Sequence, residues 1–298
     1  MRHATKTRHR YREPAGLRVH YRESGTPSPT AVVLLHGSPS SSYSFREILP
    51  MLGDTTYVVA PDLPGFGFSD APPLGEFEYT FERLSQVIEA LLDDLGIERY
   101  VLFVTDFSTP VGYYLATRRP ERVLGLVVQN GSVHEAGMTE AWDAPRRFWA
   151  ARTEETTAAL PVWLNFEGTR DTYLSGLPEE LRELHPVESW HLDWERMSRP
   201  GNVEVHFELF YDYRRHVARF AEIAAYHARY QPPCLVLWGR HDPFFDIGEV
   251  LAFHREMAHL EAHLFDAGHF LLETHAAEVG ELLVTFVADA FDRPAAEV

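Results

Sequence analysis

A short apolar run that ends on an acid and turns at once into a helix is the feature that most constrains this fold. Residues 100–104 are continuously apolar, Asp106 follows, and helical spacing begins at Val111. A continuous apolar run, unlike an alternating one, predicts a strand that is covered on both faces. A carboxylate raised on the turn after such a strand is placed to act as a nucleophile.

Similar apolar runs recur along the chain, and helical patterns separate them. The other predicted strands are Ala31–Leu35, Tyr57–Ala60, Leu124–Val128 and Cys234–Leu237. Apolar residues with helical spacing predict helices over Phe81–Leu95, Val111–Arg118 and Gly248–Met257. Strands that alternate with helices predict an α/β fold with a mostly parallel central sheet, helices on its faces and right-handed crossovers.

The alternation stops between residues 133 and 230, where helical stretches, several prolines and five tryptophans occur without a recurring buried strand. We interpret this segment as an inserted helical lid over the carboxyl edge of the sheet, where ligands bind in open α/β sheets. The predicted organisation is therefore a core formed by residues 1–132 and 231–298, with residues 133–230 as the lid.

Composition narrows the possible partners. With 298 residues, 45% of them apolar, the chain can bury a large core, and a formal net charge of −17 argues against nucleic acid or an anionic membrane surface. We expect the basic stretch from Arg2 to Arg12 to be a frayed terminus. The absence of a secretory signal or a long apolar span predicts a cytoplasmic protein. The single Cys234 excludes an internal disulfide and is expected to be a buried apolar residue.

Three residues could act together as a catalytic set. Asp106 and Asp242 each follow a predicted strand, and His269 lies near the end of the chain. Acid, acid and histidine in this order suit a nucleophile, the group that orients a base, and the base itself.

The motifs around these residues resemble the α/β-hydrolase family over nearly the whole chain. They are His36-Gly37-Ser38-Pro39, the segment Asp62–Asp70, the turn at Asp106, Gly239-Arg240-His241-Asp242 and Gly268-His269. Aspartate at the turn resembles the branch that contains epoxide hydrolases and haloalkane dehalogenases, whereas esterases and lipases have serine there.

The resemblance implies a covalent mechanism that requires no cofactor. No pair of histidines within a predicted helix has the spacing of a helical zinc site, which predicts that the protein binds no metal. An ionised carboxylate needs no base to attack a saturated carbon, so Asp106 would form an alkyl ester. His269, oriented by Asp242, would then activate a water that hydrolyses the ester. By resemblance, the backbone N–H groups of Phe107 and Ser38 would hold the oxyanion.

The leaving group decides between the two activities. Opening an epoxide to a diol needs a donor for the ring oxygen, and the resemblance nominates Tyr213 and Tyr173 in the lid. Haloalkane dehalogenation, the alternative, needs an indole N–H beside the nucleophile, where Phe107 stands and cannot donate. A lid tryptophan such as Trp163 could replace it.

The same resemblance places His36, Pro39 and Trp163 in the substrate pocket. The aromatic lid suggests a small apolar or aromatic substrate that reacts with water.

The turn departs from the family pattern, because Val104 and Ser108 stand where glycines are usual and Thr109 fills a position that is usually small. We expect altered packing there. Ser108 as the nucleophile, which would make the protein esterase-like, is a disfavoured alternative because it would lie within the first helical turn. A non-hydrolytic or ligand-binding relative is a further alternative, although it would not need all three catalytic residues.

Overall fold

A central sheet of eight strands organises the described part of the chain. The structure is a computed structural model and describes residues 5–160 and 164–293. The strands are β1 (Arg8–Arg12), β2 (Val19–Ser24), β3 (Thr30–Leu34), β4 (Val58–Pro61), β5 (Arg99–Thr105), β6 (Val123–Gln129), β7 (Cys234–Gly239) and β8 (Leu260–Phe265). Their order across the sheet is β1-β2-β4-β3-β5-β6-β7-β8. From β4 to β8 all pairs are parallel, whereas β1–β2 and β2–β4 are antiparallel. This confirms the predicted mostly parallel sheet.

Helices cover both faces of the sheet. In the core they are α1 (Ile48–Gly53), α2 (Phe81–Asp94), α3 (Ser108–Arg118), α11 (Gly248–Glu256) and α12 (Leu272–Asp292). On β5, Leu102 and Val104 point into one apolar cluster with α2 and α3, while Val101 and Phe103 point into a second cluster with α1 and α12. Burial on both faces explains why the apolar runs are continuous.

The apolar-run criterion misses both edge strands, β1 and β8, and also the interior strand β2, which is buried along its whole length but is largely polar in sequence. Arg8–Arg12 was expected to fray, and this is wrong, because these residues pair antiparallel with β2. The Arg8 and Arg10 side chains donate hydrogen bonds to Glu23. At the other edge, β8 is mostly half-buried or exposed. Charged, short edge strands are common because they discourage pairing between molecules, so their sequences lack a core signature.

A helical segment connects β6 to β7. Its helices are α4 (Asp143–Ala150), α5 (Glu154–Ala158), α6 (Phe166–Leu174), α7 (Glu179–Arg182), α8 (Val187–Met197), α9 (Asn202–Ala218) and α10 (Phe220–Tyr230). We call this segment the insertion; its status as a separate lid domain stays a prediction. Among the described helices, none is long and apolar enough to cross a membrane.

Close packing between β5 and α3 explains how the chain accommodates a valine at a position where the family usually has glycine. A methyl group added to Gly112 on α3 would lie 2.2 Å from Val104 Cγ1. The space that glycine usually leaves on the strand is therefore left on the helix instead.

We expect Gly112→Ala to destabilise the protein by about 1–3 kcal/mol, because overpacking of a buried contact outweighs the helical preference for alanine. The measurement is a double-mutant cycle of chemical denaturation with Val104→Ala. The double variant should be less destabilised than the sum of the single variants, because the smaller side chain removes the clash. Additive free energies would contradict this close contact.

Candidate active site

The three candidate catalytic residues meet at the carboxyl edge of the sheet. Asp106 follows β5, Asp242 follows β7 and His269 follows β8. His269 Nδ1 lies 2.7 Å from Asp242 Oδ2, and His269 Nε2 lies 3.7 Å from Asp106 Oδ2. Because a carboxylate only accepts, Nδ1 carries the proton and the Nε2 lone pair faces Asp106 when the ring is neutral. The imidazole is thus held between an acid that orients it and an acid that can react.

Asp106 lies on a strained turn that exposes its carboxylate. Its φ is +46°, a left-handed conformation that non-glycine residues rarely adopt. Oδ1 accepts a 2.7 Å hydrogen bond from the Ser38 N–H, and the Phe107 N–H also donates to this carboxylate. A methyl group on Gly37 would lie 2.6 Å from Asp106 Cβ, so only glycine allows the neighbouring loop to come this close. Both N–H groups predicted to hold the oxyanion therefore already point at the carboxyl group.

The other two unusual residues of the turn are also accommodated. A methyl group on Gly131 would lie 2.2 Å from Thr109 Oγ1, so a glycine after β6 makes room for the threonine. The Ser108 hydroxyl is fully buried and bonds to the carbonyls of Leu35 at 2.7 Å and Thr105 at 2.8 Å. Ser108 therefore connects the turn to the end of β3. Because its hydroxyl is buried and hydrogen-bonded, a substrate could not reach it.

Asn130 is a site residue that the sequence interpretation missed. Its Nδ2 donates to Asp242 Oδ2 at 2.8 Å, and its Oδ1 accepts from the Gly239 N–H at 2.9 Å. The other Asp242 oxygen accepts from the N–H groups of Phe244 and Phe245. Asn130 lies two residues after the predicted strand Leu124–Val128, and that position was the available signal.

Burial and charge act in opposite directions on the reacting groups. Burial raises the pKa of Asp106, and the opposing effects of His269 and the two N–H donors leave it above its usual value. Burial lowers the pKa of His269, but Asp242 and then Asp106 outweigh it, so the net shift is upward. The carboxylate needs its N–H donors to remain ionised in this buried place.

An apolar cavity of about 100 Å³ covers Asp106. Core loops and the insertion both line it: Ser38, Pro39, Asp106, Phe107, Ala141, Trp142, Pro145, Thr172, Phe210, Phe244 and His269. The cavity therefore suits a small apolar molecule with one reactive carbon next to the carboxylate.

A second, smaller cavity of about 20 Å³ lies beside the same pair. Asp106, Gln129, His269 and Glu273 are among the residues that border it. This volume is about what one water molecule needs, and polar atoms are available to hold it. His269 borders both cavities.

The two predicted tyrosine donors have different surroundings. The Tyr213 hydroxyl is buried without a hydrogen-bond partner, and the Tyr213 ring packs on Phe107 and Trp142, which line the cavity. Burial and then the Asp106 charge raise the pKa of Tyr213. In contrast, the Tyr173 hydroxyl donates to Asp193 Oδ2 at 2.5 Å. Burial raises the pKa of Asp193 to about 7.

The three residues predicted to line the substrate pocket differ in where they lie. Pro39 lines the cavity, and Trp163 lies outside the described residues. His36 is not among the described residues lining the cavity; it is buried, with Nε2 accepting from the Leu63 N–H and Nδ1 bonded to Gly37 O. Its ring holds two loops together.

Two indoles of the insertion near the cavity are already hydrogen-bonded. Trp142 Nε1–H donates to Phe244 O at 2.9 Å, and Trp149 Nε1–H donates to Phe210 O at 3.0 Å. An indole has a single donor, so neither could bind a halide without losing this bond.

Comparisons with known proteins agree with the fold. The chain is 30% identical to an uncharacterized hydrolase of Saccharomyces cerevisiae, covering 94% of this chain and 97% of the relative. It is 29% identical to a cis-3-alkyl-4-alkyloxetan-2-one decarboxylase of Shewanella oneidensis, covering 89% and 83%. It is 26% identical to a haloalkane dehalogenase of Psychrobacter cryohalolentis, covering 93% and 89%.

A solved structure of an epoxide hydrolase, CorEH, is similar in fold. Its TM-score is 0.76 with 20% sequence identity, over 95% of this chain and 99% of that one. The family described as alpha/beta hydrolase fold matches residues 30–276, which include Asp106, Asp242 and His269. The chain is therefore a member of the α/β-hydrolase fold family, and its sequence relatives include a haloalkane dehalogenase.

Proposed function

We propose that the protein hydrolyses an epoxide to a vicinal diol through a covalent ester on Asp106. The observation that carries this proposal is a buried carboxylate held by two N–H donors, under an apolar cavity and 3.7 Å from an oriented histidine. A carboxylate of this kind suits displacement at a saturated carbon.

The first half-reaction uses the free carboxylate oxygen. Oδ1 is held by the Ser38 N–H, so Oδ2 attacks the epoxide carbon. The carbon–oxygen bond of the ring breaks, and the ring oxygen takes a proton from the Tyr213 hydroxyl. The unpartnered state of that buried hydroxyl supports this role, since a buried donor without a partner is unfavourable until a ligand accepts from it.

The second half-reaction hydrolyses the ester. A water in the smaller cavity loses its proton to His269 Nε2 as it attacks the Asp106 carbonyl carbon. The Ser38 and Phe107 N–H groups stabilise the oxyanion, each contributing about 3 kcal/mol. Collapse breaks the bond to the diol oxygen, which takes the proton of the newly formed carboxylic acid, so the diol leaves and the Asp106 carboxylate is restored. The His269 imidazolium then loses its proton to water and the Tyr213 phenolate takes one up, which returns both residues to their starting states. Asp242 keeps the imidazole oriented and favours its protonated form.

Dehalogenation with the same nucleophile is the second candidate, favoured by the haloalkane dehalogenase relative. Phe107 beside the nucleophile and the occupied indoles of Trp142 and Trp149 weigh against it. The oxetanone decarboxylase relative acts, by its name, on another strained oxygen ring, so such lactones belong in the same test.

We expect His269→Gln to accumulate an ester on Asp106, because the group that activates water is lost while the nucleophile remains. Intact-mass spectrometry after incubation with epoxides should show a gain equal to the whole substrate. A gain equal to haloalkane minus hydrogen halide, without an epoxide adduct, would assign dehalogenation instead. Turnover only of the lactone, with carbon dioxide released by the unsubstituted protein, would assign decarboxylation. Asp106→Asn is the matched control and should give no adduct.

We expect Tyr213→Phe to slow ester formation from epoxides by about 100-fold, because one general acid contributes at least this much. The measurement is rapid-quench mass spectrometry in the His269→Gln background. Tyr173→Phe is the comparison, and since its hydroxyl already donates to Asp193 it should change this rate much less. An equal loss in both variants would mean that both tyrosines donate, and no loss in either would remove Tyr213 from the mechanism.

We expect Asp242→Asn to slow hydrolysis of the ester by about 10³–10⁴-fold and to move the acid limb of its pH profile to lower pH. Hydrolysis needs neutral His269, so it falls as pH drops through the His269 pKa. Esterification removes the Asp106 charge and leaves Asp242 as the main group that raises this pKa. Single-turnover decay of the ester across pH measures both effects. An unmoved limb would show that another group titrates.

A further inference from the structure

Two histidines and a glutamate converge on the flank of the fold, away from the residues that line the two cavities. His134 Nε2 lies 3.1 Å from Glu256 Oε2, and His227 Nδ1 lies 2.9 Å from the same oxygen. The three ligand atoms all fall within 4.8 Å of one another. They are far apart in the sequence, which is why spacing rules predicted no metal site.

We propose that His134, His227 and Glu256 form a binding site for a divalent transition-metal ion, for which Zn²⁺ is the best match. Two imidazole nitrogens and one carboxylate oxygen are ligands that zinc prefers, and a water would complete a tetrahedron. In such a tetrahedron neighbouring ligand atoms are separated by about 3.4 Å. The two distances to Glu256 Oε2 are slightly shorter than this, and the two nitrogens lie within 4.8 Å of each other, so small side-chain adjustments suffice.

The lone pair on His134 is directed toward the site. His134 Nδ1 lies 2.8 Å from Glu249 Oε1, and a carboxylate can only accept, so the ring proton is on Nδ1. The Nε2 atom is buried and has no hydrogen-bond partner, because its contact with Glu256 does not have hydrogen-bond geometry. A carboxylate that holds the outer nitrogen of a histidine is the usual arrangement behind a metal ligand.

The second histidine has the same kind of support. As the side chains stand, His227 Nδ1 donates to Glu256 Oε2, because a carboxylate only accepts. An ion that binds Glu256 would move the ring proton to Nε2, where the Tyr113 hydroxyl, 2.9 Å away, can accept it, so that Nδ1 binds the ion. Phe253 packs against both imidazole rings, with centroid distances of 5.1 Å to His134 and 5.5 Å to His227. The Phe253 ring therefore restricts the movement of both imidazoles. The Glu256 side chain is 28% exposed, so an ion could reach the site from solvent.

The charged side chains around the site also favour binding of a divalent cation. Glu249 and Glu256 stand seven residues apart on one face of α11, at either side of the His134 ring. Together they supply two negative charges, and both histidines bind a metal in the neutral form. The Glu249 side chain is fully buried.

The site would join the two ends of the insertion to the core. His134 lies just after β6, where the insertion begins, and His227 lies on α10, where it ends, while Glu256 ends α11 of the core. A metal bound here would therefore stabilise the folded state by its binding free energy and hold the insertion in place.

The experiment measures Zn²⁺ binding to the whole protein after treatment with a chelator. Chelator-competition titration should give one tight site per chain, Zn²⁺ should raise Tm relative to the chelated protein, and Co²⁺ should give the visible absorption of a tetrahedral centre. A folded protein that takes up no Zn²⁺ in competition would overturn the proposal.

Variants distinguish this site from surface binding. Glu249→Gln should weaken Zn²⁺ binding by about 10–100-fold, and Glu256→Gln by more, because it loses a direct ligand. Glu261→Gln is the matched control, since Glu261 also pairs with a histidine, His263, at 2.7 Å but on the exposed face of β8. Equal binding by the Glu256→Gln and unsubstituted proteins would overturn the proposal. A Glu256→Gln variant that fails to fold leaves the titration of the unsubstituted protein to decide.

Discussion

The tight turn at Asp106 determines how closely the surrounding loops must pack. A left-handed conformation at a non-glycine residue is unfavourable by about 1–3 kcal/mol and persists only when neighbouring packing enforces it. Gly37 and Gly131 let two loops approach the turn, and Gly112 lets α3 pack on β5. The glycines that the turn itself lacks are thus replaced by glycines in the segments that contact it. This arrangement brings the Ser38 N–H to 2.7 Å from the carboxylate.

One imidazole between two buried carboxylates sets the electrostatics of the site. Burial alone would favour neutral acids, and the raised pKa of Asp106 reflects that tendency. The Asp242 carboxylate accepts hydrogen bonds from Asn130 and from two backbone N–H groups. The two acids therefore have different surroundings, one fully hydrogen-bonded and one with an oxygen facing an apolar cavity. That difference matches the division between an orienting group and a nucleophile.

The sequence predicts the strands that are both buried and apolar. Strands β3 to β7 appear as continuous apolar runs. In contrast, β1 is charged, β2 is buried but largely polar, and β8 is half-buried or exposed at every position, so none of these three carries an apolar core pattern. Asp106, Asp242 and His269 could be found because each lies beside a strand or in a family motif. The cluster of His134, His227 and Glu256 could not, because it depends on how the ends of the insertion pack against α11.

The cavity wall and the orientation of the base are parts of one hydrogen-bonded unit. Trp142 lines the cavity and donates to Phe244 O, and Thr139 donates to the same carbonyl and to Pro243 O. The Phe244 N–H in turn donates to Asp242 Oδ1 at 2.7 Å. A movement of the insertion that opened the cavity at Trp142 would therefore pull on the loop that holds Asp242. Because His269 is hydrogen-bonded to Asp242, the wall of the cavity and the orientation of the imidazole are mechanically linked.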